Sequence, residues 1–454
     1  MRKITVFFDF DGVVVNTISA LKLLYFEILK KYNIINPKDE FDCLNGLRLP
    51  EIVKFIIDTY KPQDSSNFVF EQLYDDYLIG LNQLYDSVQL HDGIFEALCF
   101  LKENNVRIAL VSSAPKIEIE RVLERYLIYD YFDLILSAND AKEAKPSPEI
   151  YVKAKTQLPA DMYFAIEDSL NGIISAKRAG DIHVLFYDAF GEKDLQCMKS
   201  SNQRLVHFDN VKYIIKGALY DTCAICNLPL NLFFEQGQLQ IGKADEKEIN
   251  DLWIIASQRD MKLFDGKIAC YLSHNIMDNM CSIAYATCNY RFFYAKHISA
   301  SLRDLPIRPI GVSGIIIDEN NETLIGVRNK STQYSDFYEF IPSGSIEIKC
   351  DGMITNYQEQ LLVEFTEESS LDSNIIQKII PLCLIYDAGD DVFDIGCEIR
   401  IKDSLRKYID RIVPKNFEYK HIEVMHLADV TKQMIDGNLN FVATSYVLLG
   451  SLAW

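Results

Sequence analysis

Asp9-Phe10-Asp11-Gly12 follows directly on the apolar run Ile4–Phe8. In an extended segment, side-chain alternation places Asp9 and Asp11 on the same side, two residues apart. Two carboxylates that close repel, and the arrangement is easily held only with a divalent cation or a shared proton. A strand ending in a solvated Asp-Gly turn would show the same four residues. What separates the readings is recurrence further along the chain. The run ending at Val111 leads into Ser112-Ser113, then comes Lys145-Pro146-Ser147-Pro148, and Met162–Ile166 leads into Glu167-Asp168. Polar groups thus arrive at the ends of apolar runs, where parallel sheets place their ligands. An attacking carboxylate, a second that handles a proton, a hydroxyl, a lysine and a metal-holding acidic pair make up the equipment of phosphoryl transfer.

A second constellation lies in Val363-Glu364-Phe365-Thr366-Glu367-Glu368. Glu364, Glu367 and Glu368 are spaced i, i+3, i+4 and share one helix face, where like charges destabilise. Leu361, Leu362 and Phe365 offer the opposite face to a core. Acid beside a buried stripe is either a solvated surface or a metal site, and spacing alone leaves both open. Cys223 and Cys226 have no second CxxC and no Cys/His pair at ligand spacing nearby, so they read as two small buried residues. The acidic run Asp387–Asp394 reads as a solvated turn, with an added ligand or base as the other reading.

These groups need elements to hold them. Ile4–Phe8, Arg107–Val111, Leu134–Leu136 and Met162–Ile166 read as buried strands separated by amphipathic helices such as 93–103, which carries Ile94, Leu98 and Leu101 on one face. That rhythm predicts an α/β domain over 1–205 with a parallel sheet covered on both faces. Residues 17–85 show helical patterning and no strand, so they form a helical insertion after the first strand. The stretch 206–305 is hard to read. From 306 to 454 the pattern is α+β: strands Ile310–Asp318 and Thr323–Val327 as a hairpin around Glu319–Asn321, a polar insert Glu347–Asn356, the helix Tyr357–Ser369, and strands Ile380–Ile385 and Phe393–Ile401.

The chain has 454 residues, and at roughly 100–200 residues per domain this predicts two to four domains. It is 49% hydrophobic and 24% charged, which excludes fibrous and disordered classes. With 65 acidic and 46 basic side chains, the net charge is −19. Such a body repels nucleic acid and anionic lipid, and a phosphate site within it needs a local cation. Arg2 and Lys3 before Ile4–Phe8 imitate an export signal, but Asp9 and Asp11 interrupt the run too early. No stretch approaches the ~18 uninterrupted apolar residues of a membrane helix. The 11 cysteines lack framework spacing, which points to a reducing compartment, and a cytoplasmic location is expected.

The motifs DFDGVVVNT from Asp9, VSSAP from Val111, KPSPEIY from Lys145 and EDSLNG from Glu167 resemble, in this order, the haloacid dehalogenase superfamily. The helical insertion resembles the cap of its β-phosphoglucomutase-like and phosphoglycolate phosphatase-like branch. The resemblance implies a Rossmann-like domain in which Asp9 attacks phosphorus and Asp11 protonates the leaving oxygen and then activates water. Ser112 and Lys145 would hold the phosphoryl oxygens. Asp9, Asp168 and the main-chain carbonyl of Asp11 would bind Mg²⁺, with Glu167 in support. Ser113 and Arg48 are further candidates for substrate contact, a solvated surface arginine being the other reading of Arg48. Asn16 stands where many relatives carry Asp. The branch's phosphoglucomutases have a cap histidine at the position of Leu21, and neither Ser19, Ala20 nor Lys22 supplies one. A phosphatase is therefore expected rather than a mutase.

The C-terminal pattern, with Phe340-Ile341-Pro342-Ser343-Gly344 before VEFTEESSL, resembles a Nudix hydrolase domain. Within that family it is similar to the divergent UDP-glucose/UDP-galactose diphosphatases. Leu263-Phe264-Asp265-Gly266 through Gly311-Val312-Ser313-Gly314 looks like their N-terminal extension. The resemblance implies metal binding by Glu364, Glu367 and Glu368. Val363 replaces the arginine that normally orients the first glutamate, Ser370 replaces a glycine, and extra residues follow Gly344. Together the two resemblances imply a bifunctional Mg²⁺-dependent hydrolase acting on a small phosphomonoester and a nucleoside-diphosphate sugar. The alternatives are a C-terminal half that senses nucleotide without chemistry, or one that is structural or dimerising.

Overall fold

The computed structural model describes residues 2–452 apart from 35–39, 61–69, 190, 192–193, 230, 260–263, 278, 331–333, 350–351 and 415–417. Parts of the expected cap, of the Glu347–Asn356 insert and of the extension motif (Leu263) therefore lie outside the described residues. The chain divides into two compact units, Met1–Lys212 and Tyr213–Leu452. No helix among the described residues is long and apolar enough to cross a membrane.

The first unit is built on six strands: β1 (Ile4–Phe8), β2 (Arg107–Val111), β3 (Leu134–Leu136), β4 (Met162–Glu167), β5 (Ile182–Tyr187) and β6 (Gln203–Leu205). They pair in parallel in the order β3-β2-β1-β4-β5-β6. Every residue of β1 is buried, as a strand covered on both faces requires. In register, Phe8 lies opposite both Leu110 and Ile166. The carboxyl ends of β1, β2 and β4 are thus level, and whatever follows them converges. β5 and β6 extend the sheet beyond the four strands legible in the sequence.

Helices α1 (Ile18–Lys31), α2 (Phe41–Leu44), α3 (Leu49–Tyr60) and α4 (Phe70–Ser87) form the insertion. Its apolar positions face inward: Tyr25, Val53, Ile56, Leu73, Tyr77 and Leu81 are buried. The chain leaves the sheet domain at Asn16 and returns at Gln89, where Asn16 N–H donates to the Gln89 carbonyl at 2.9 Å. Helices α5 (Ile94–Glu103), α6 (Lys116–Arg125), α7 (Glu149–Gln157), α8 (Leu170–Arg178) and α9 (Leu195–Ser200) follow, and α10 (Asp209–Leu219) carries the chain across the boundary at Lys212. One core cluster joins Phe7, Val111, Ala165 and Val184 of the sheet to Tyr151 of α7 and Ile173 of α8.

The second unit contains α11 (Lys243–Arg259), α12 (Tyr290–Ile298), α13 (Tyr357–Ser369), α14 (Leu427–Asp436) and α15 (Ala443–Gly450). Its strands are β7 (Thr222–Asn227), β8 (Asn231–Gln236), β9 (Lys267–Met277), β10 (Met280–Asn289), β11 (Ile310–Ile317), β12 (Glu322–Arg328), β13 (Tyr338–Phe340), β14 (Ser343–Ser345), β15 (Ile376–Asp387), β16 (Val392–Ile401) and β17 (Tyr419–His426). They form three sheets ordered β8-β10-β9, β14-β11-β16-β15-β7 and β13-β12-β17. The expected hairpin of β11 and β12 is corrected. Asp318 closes the turn, its N–H donating to the Glu322 carbonyl at 3.1 Å, but the strands then enter different sheets. Both are buried along nearly their whole length, so each needs partners on both edges: β14 and β16 for one, β13 and β17 for the other. Cys223 and Cys226 are buried in β7.

Candidate active site

At the level carboxyl ends of the central strands, the backbone N–H of Asp9 donates to the Ile166 carbonyl at 3.0 Å, and that of Ser112 to Leu136 at 2.9 Å. These continuations of the ladder fix where both side chains start. Asp9 Oδ1 accepts from the Phe10 N–H at 2.8 Å and lies 3.2 Å from Lys145 Nζ. Lys145 also donates to Glu167 Oε1 at 2.7 Å and to the Val111 carbonyl at 3.0 Å. Tyr151 of α7 donates its hydroxyl to the same Glu167 oxygen. All of this is dry: Asp9 is 4%, Lys145 2% and Glu167 0% exposed.

Burial alone would lower the Lys145 pKa, but the negative charges of Asp9 and Glu167 prevail and push it up to about 12. One ammonium therefore stands against three crowded carboxylates. Asp9, Glu167 and Asp168 each present an oxygen, and these oxygens lie within 4.8 Å of one another. Glu167 Oε2, Asp168 Oδ1 and Asp11 Oδ1 are buried with no hydrogen-bond partner. Orphaned oxygens of a surplus negative cluster fit a hard divalent cation, which takes oxygen ligands. Burial drives the Asp168 carboxyl up to about 7, with the charge of Asp9 adding to the rise.

Asp11 holds a different environment. Burial pushes its carboxyl up to about 7, against the hydrogen bond from Tyr85 and with the help of Asp9. The Tyr85 hydroxyl reaches down from α4 and donates to Asp11 Oδ2 at 2.8 Å. Two carboxylates two residues apart thus differ in environment: one is salt-bridged to lysine, the other accepts a phenol hydrogen bond.

Asp9 and Asp11 open onto a cavity of about 250 Å³, with Ser112 and Ser113 beside them and residues of α1–α4 opposite. Ser113 donates its hydroxyl to the Gly46 carbonyl at 2.7 Å. Arg48 lines the cavity, but its guanidinium is engaged by Glu51 and by the carbonyls of Ala141 and Lys142, both at 3.1 Å. Leu21 lines it too, and no histidine is among the described lining residues. Asn16 is exposed at the entry to the insertion. Two contributors escaped the sequence reading, Tyr85 and Asn45. Asn45 Nδ2 donates to Asp168 Oδ2 at 2.9 Å across 123 residues.

Residues 6–186 match the family described as haloacid dehalogenase-like hydrolase. Over 186 residues the chain is 32% identical to the β-phosphoglucomutase of Bacillus subtilis, spanning 79% of that protein and 38% of this one. The chain belongs to the haloacid dehalogenase-like hydrolase family. It is also 27% identical to a phosphorylated carbohydrates phosphatase of Thermotoga maritima, covering 38% of this chain and 81% of the relative. The hexitol phosphatase B of Escherichia coli is 25% identical, at 38% and 78% coverage. The family match falls in the N-terminal unit, which also holds Asp9, Asp11, Ser112, Lys145, Glu167 and Asp168.

The C-terminal glutamates do not converge in that way. Glu368 is buried, Glu364 half-buried and Glu367 exposed, and among the described residues only Asp9, Glu167 and Asp168 form a tight metal-type cluster. Glu368 accepts from the Ser343 N–H at 3.1 Å and the Tyr419 hydroxyl at 3.2 Å. Gln360 holds Glu364 at 2.8 Å. The acidic turn after β15 is tied down. Asp391 is ion-paired with Lys296 and Arg308, and Asp387 Oδ1 caps the Gly389 and Asp390 N–H groups at 2.8 and 3.2 Å.

Proposed function

We propose that the N-terminal domain is a Mg²⁺-dependent phosphatase that hydrolyses a small phosphomonoester through an aspartyl-phosphate. The observation that carries this reading is the pair Asp9 and Asp11 at one cavity, the first ion-paired with Lys145 and the second hydrogen-bonded by Tyr85 and pushed up to about 7 by burial. Asp9 attacks phosphorus while Asp11 gives its proton to the departing alkoxide. Asp11 then takes a proton from the water that attacks the aspartyl-phosphate, returning Asp9 and inorganic phosphate. Ser112 and Lys145 hold the phosphoryl oxygens. Asp9, Asp168 and the Asp11 carbonyl, supported by Glu167, would hold Mg²⁺, which when bound offsets the charge of the phosphoryl group. Leu21 stands in the cap and no histidine is among the described lining residues, so the described residues offer no imidazole to favour a sugar hydroxyl over water as acceptor. That supports a phosphatase over a mutase.

A phosphorylated carbohydrates phosphatase and a hexitol phosphatase among the relatives support including carbohydrate phosphates among the substrates to try. Asp9→Asn should lower phosphate release on the order of a thousandfold or more while leaving the melting temperature near wild type. Release that survives the substitution overturns the assignment.

A second reading concerns the C-terminal unit, as a pyrophosphohydrolase of nucleoside-diphosphate sugars. It is supported by one buried acidic group: Glu339 and Glu368 share the Tyr419 hydroxyl at 3.2 Å each, and Glu364 packs against Gly344 so tightly that a Cβ there would lie 2.1 Å from its carboxylate. Burial pushes Glu364 up to about 7. Phosphorus NMR on the full chain with Mg²⁺ and UDP-sugars tests it. UMP and sugar 1-phosphate should form with wild type and with Asp9→Asn, and Glu367→Gln should stop their formation. If UDP-sugars bind uncut, the unit is a sensor; if they do not bind, it is structural.

A further inference from the structure

The cavity above Asp9 has a lining that narrows the substrate. Opposite the two aspartates stand Leu21, Leu47, Ile52, Tyr74, Tyr77 and Leu81, a surface of aliphatic side chains and phenol rings. The polar groups around it are largely committed elsewhere. The Asn45 amide donates to Asp168 at 2.9 Å, the Ser113 hydroxyl to Gly46 at 2.7 Å and the Tyr85 hydroxyl to Asp11 at 2.8 Å. Arg48, the one cation among the described lining residues, is neutralised by Glu51 and bonded to two carbonyls. Asn139 and the hydroxyls of Tyr74 and Tyr77 are left to meet the polar groups of a leaving alcohol.

A hydroxyl-rich chain entering such a wall gives up water for too few partners, and each unmatched buried hydroxyl costs on the order of 1–3 kcal/mol. A flat apolar ring gains where the polyol loses, because tyrosine faces and leucine methyls contact it across its whole area. A second phosphate meets no uncommitted cation among the described lining residues, and its charge would stand unpaired. Size sets a further limit. At about 250 Å³ the cavity has room for a phosphoryl group and one ring.

We propose that the leaving alcohol of this phosphatase is carried on a single flat, largely apolar ring without a second anionic group. The inference rests on the phosphatase reading above and specifies its substrate class.

The test is steady-state kinetics on the full chain with saturating Mg²⁺ and three probes: benzyl phosphate, a hexitol 6-phosphate and a hexose 1,6-bisphosphate. The first two are both esters of primary alcohols, so the chemical step is of similar difficulty and the comparison reports on the cavity. Benzyl phosphate should exceed the hexitol phosphate in kcat/KM by about tenfold or more, mainly through KM, with the bisphosphate lowest. Leu21→Asn should cost benzyl phosphate about tenfold, and Leu21→Met should restore it. A hexitol phosphate or bisphosphate that matches or beats benzyl phosphate overturns the proposal and leaves the phosphatase reading standing. If wild type releases phosphate from none of the three above the level of Asp9→Asn, the phosphatase reading falls, and the proposal with it.

Discussion

Gly12 adopts a φ of +74°, and a Cβ built there would lie 2.3 Å from Asp168 Oδ2 and 2.8 Å from Ile18 Cδ1. The glycine is needed twice, for the left-handed turn after the two aspartates and for the close approach of Asp168. Gly12→Ala should cost about 1–3 kcal/mol of stability and weaken Mg²⁺ binding, read by calorimetry of the full chain. An unchanged Mg²⁺ isotherm would show that Asp168 does not depend on that approach. His91 supports a pH prediction. Burial lowers its pKa to about 4, against a weaker upward pull from Asp92, and the ring packs edge-on to Tyr187 at 5.0 Å. The unfolded chain binds a proton near 6.5 that the folded chain refuses until about 4. The contribution is therefore fully present above 6.5 and lost as pH falls towards 4. His91→Gln should flatten that part of the stability–pH curve in urea unfolding, and an equal slope in both proteins would refute it. At this scale the sequence was most legible where partners are neighbours in the chain, as Asp9 and Asp11 are. Tyr85 and Asn45 reach their carboxylates across 74 and 123 residues, a juxtaposition that only the folded cap creates.

Among the elements, the insertion depends on how its last helix is held. At the end of α4, Arg125 of α6 donates to the carbonyls of Tyr85 at 2.8 Å, Asp86 at 2.7 Å and Val88 at 2.8 Å. Those carbonyls have no partner further along the helix, so one guanidinium ties the cap's exit to the sheet domain. Because α4 also carries Tyr85 to Asp11, loosening that end moves a group at the reacting centre. Arg125→Ala should destabilise by about 1–3 kcal/mol and lower kcat several-fold, with Arg125→Lys recovering only part because it cannot fork between three acceptors. A stability loss with kcat intact would separate the two roles. Strands buried on both faces, such as β1 and β2, were readable as short apolar runs, and the cap helices from their periodicity. The pairing of β11 and β12 was not. A tight polar turn between two apolar runs signals a hairpin only when the runs stay in one sheet, and the turn's residues carry no record of where the strands go next. β6, Gln203–Leu205, has two polar residues in three and so offers no apolar run to read.

The whole molecule sets the conditions under which this site meets its substrate. The net charge of −19 was plain from composition, as was the consequence that a phosphate site must rest on local cations. Lys145, and the place for a cation beside Asp9, Glu167 and Asp168, answer that need at short range. They do not change the long-range field that an approaching phosphomonoester dianion meets. That field acts on encounter, so it should appear in kcat/KM and not in kcat. Its range follows the Debye length, about 30 Å at 0.01 M salt and about 8 Å at 0.15 M. With Mg²⁺ held at saturation, kcat/KM for a phosphomonoester should therefore rise by a few-fold as inert salt goes from 0.01 M to 0.15 M. Most enzymes that attract their substrates electrostatically show the reverse. A fall over that range would mean that a local positive field at the cavity mouth outweighs the acidic body, and that the encounter is governed by residues at the site rather than by the charge of the chain.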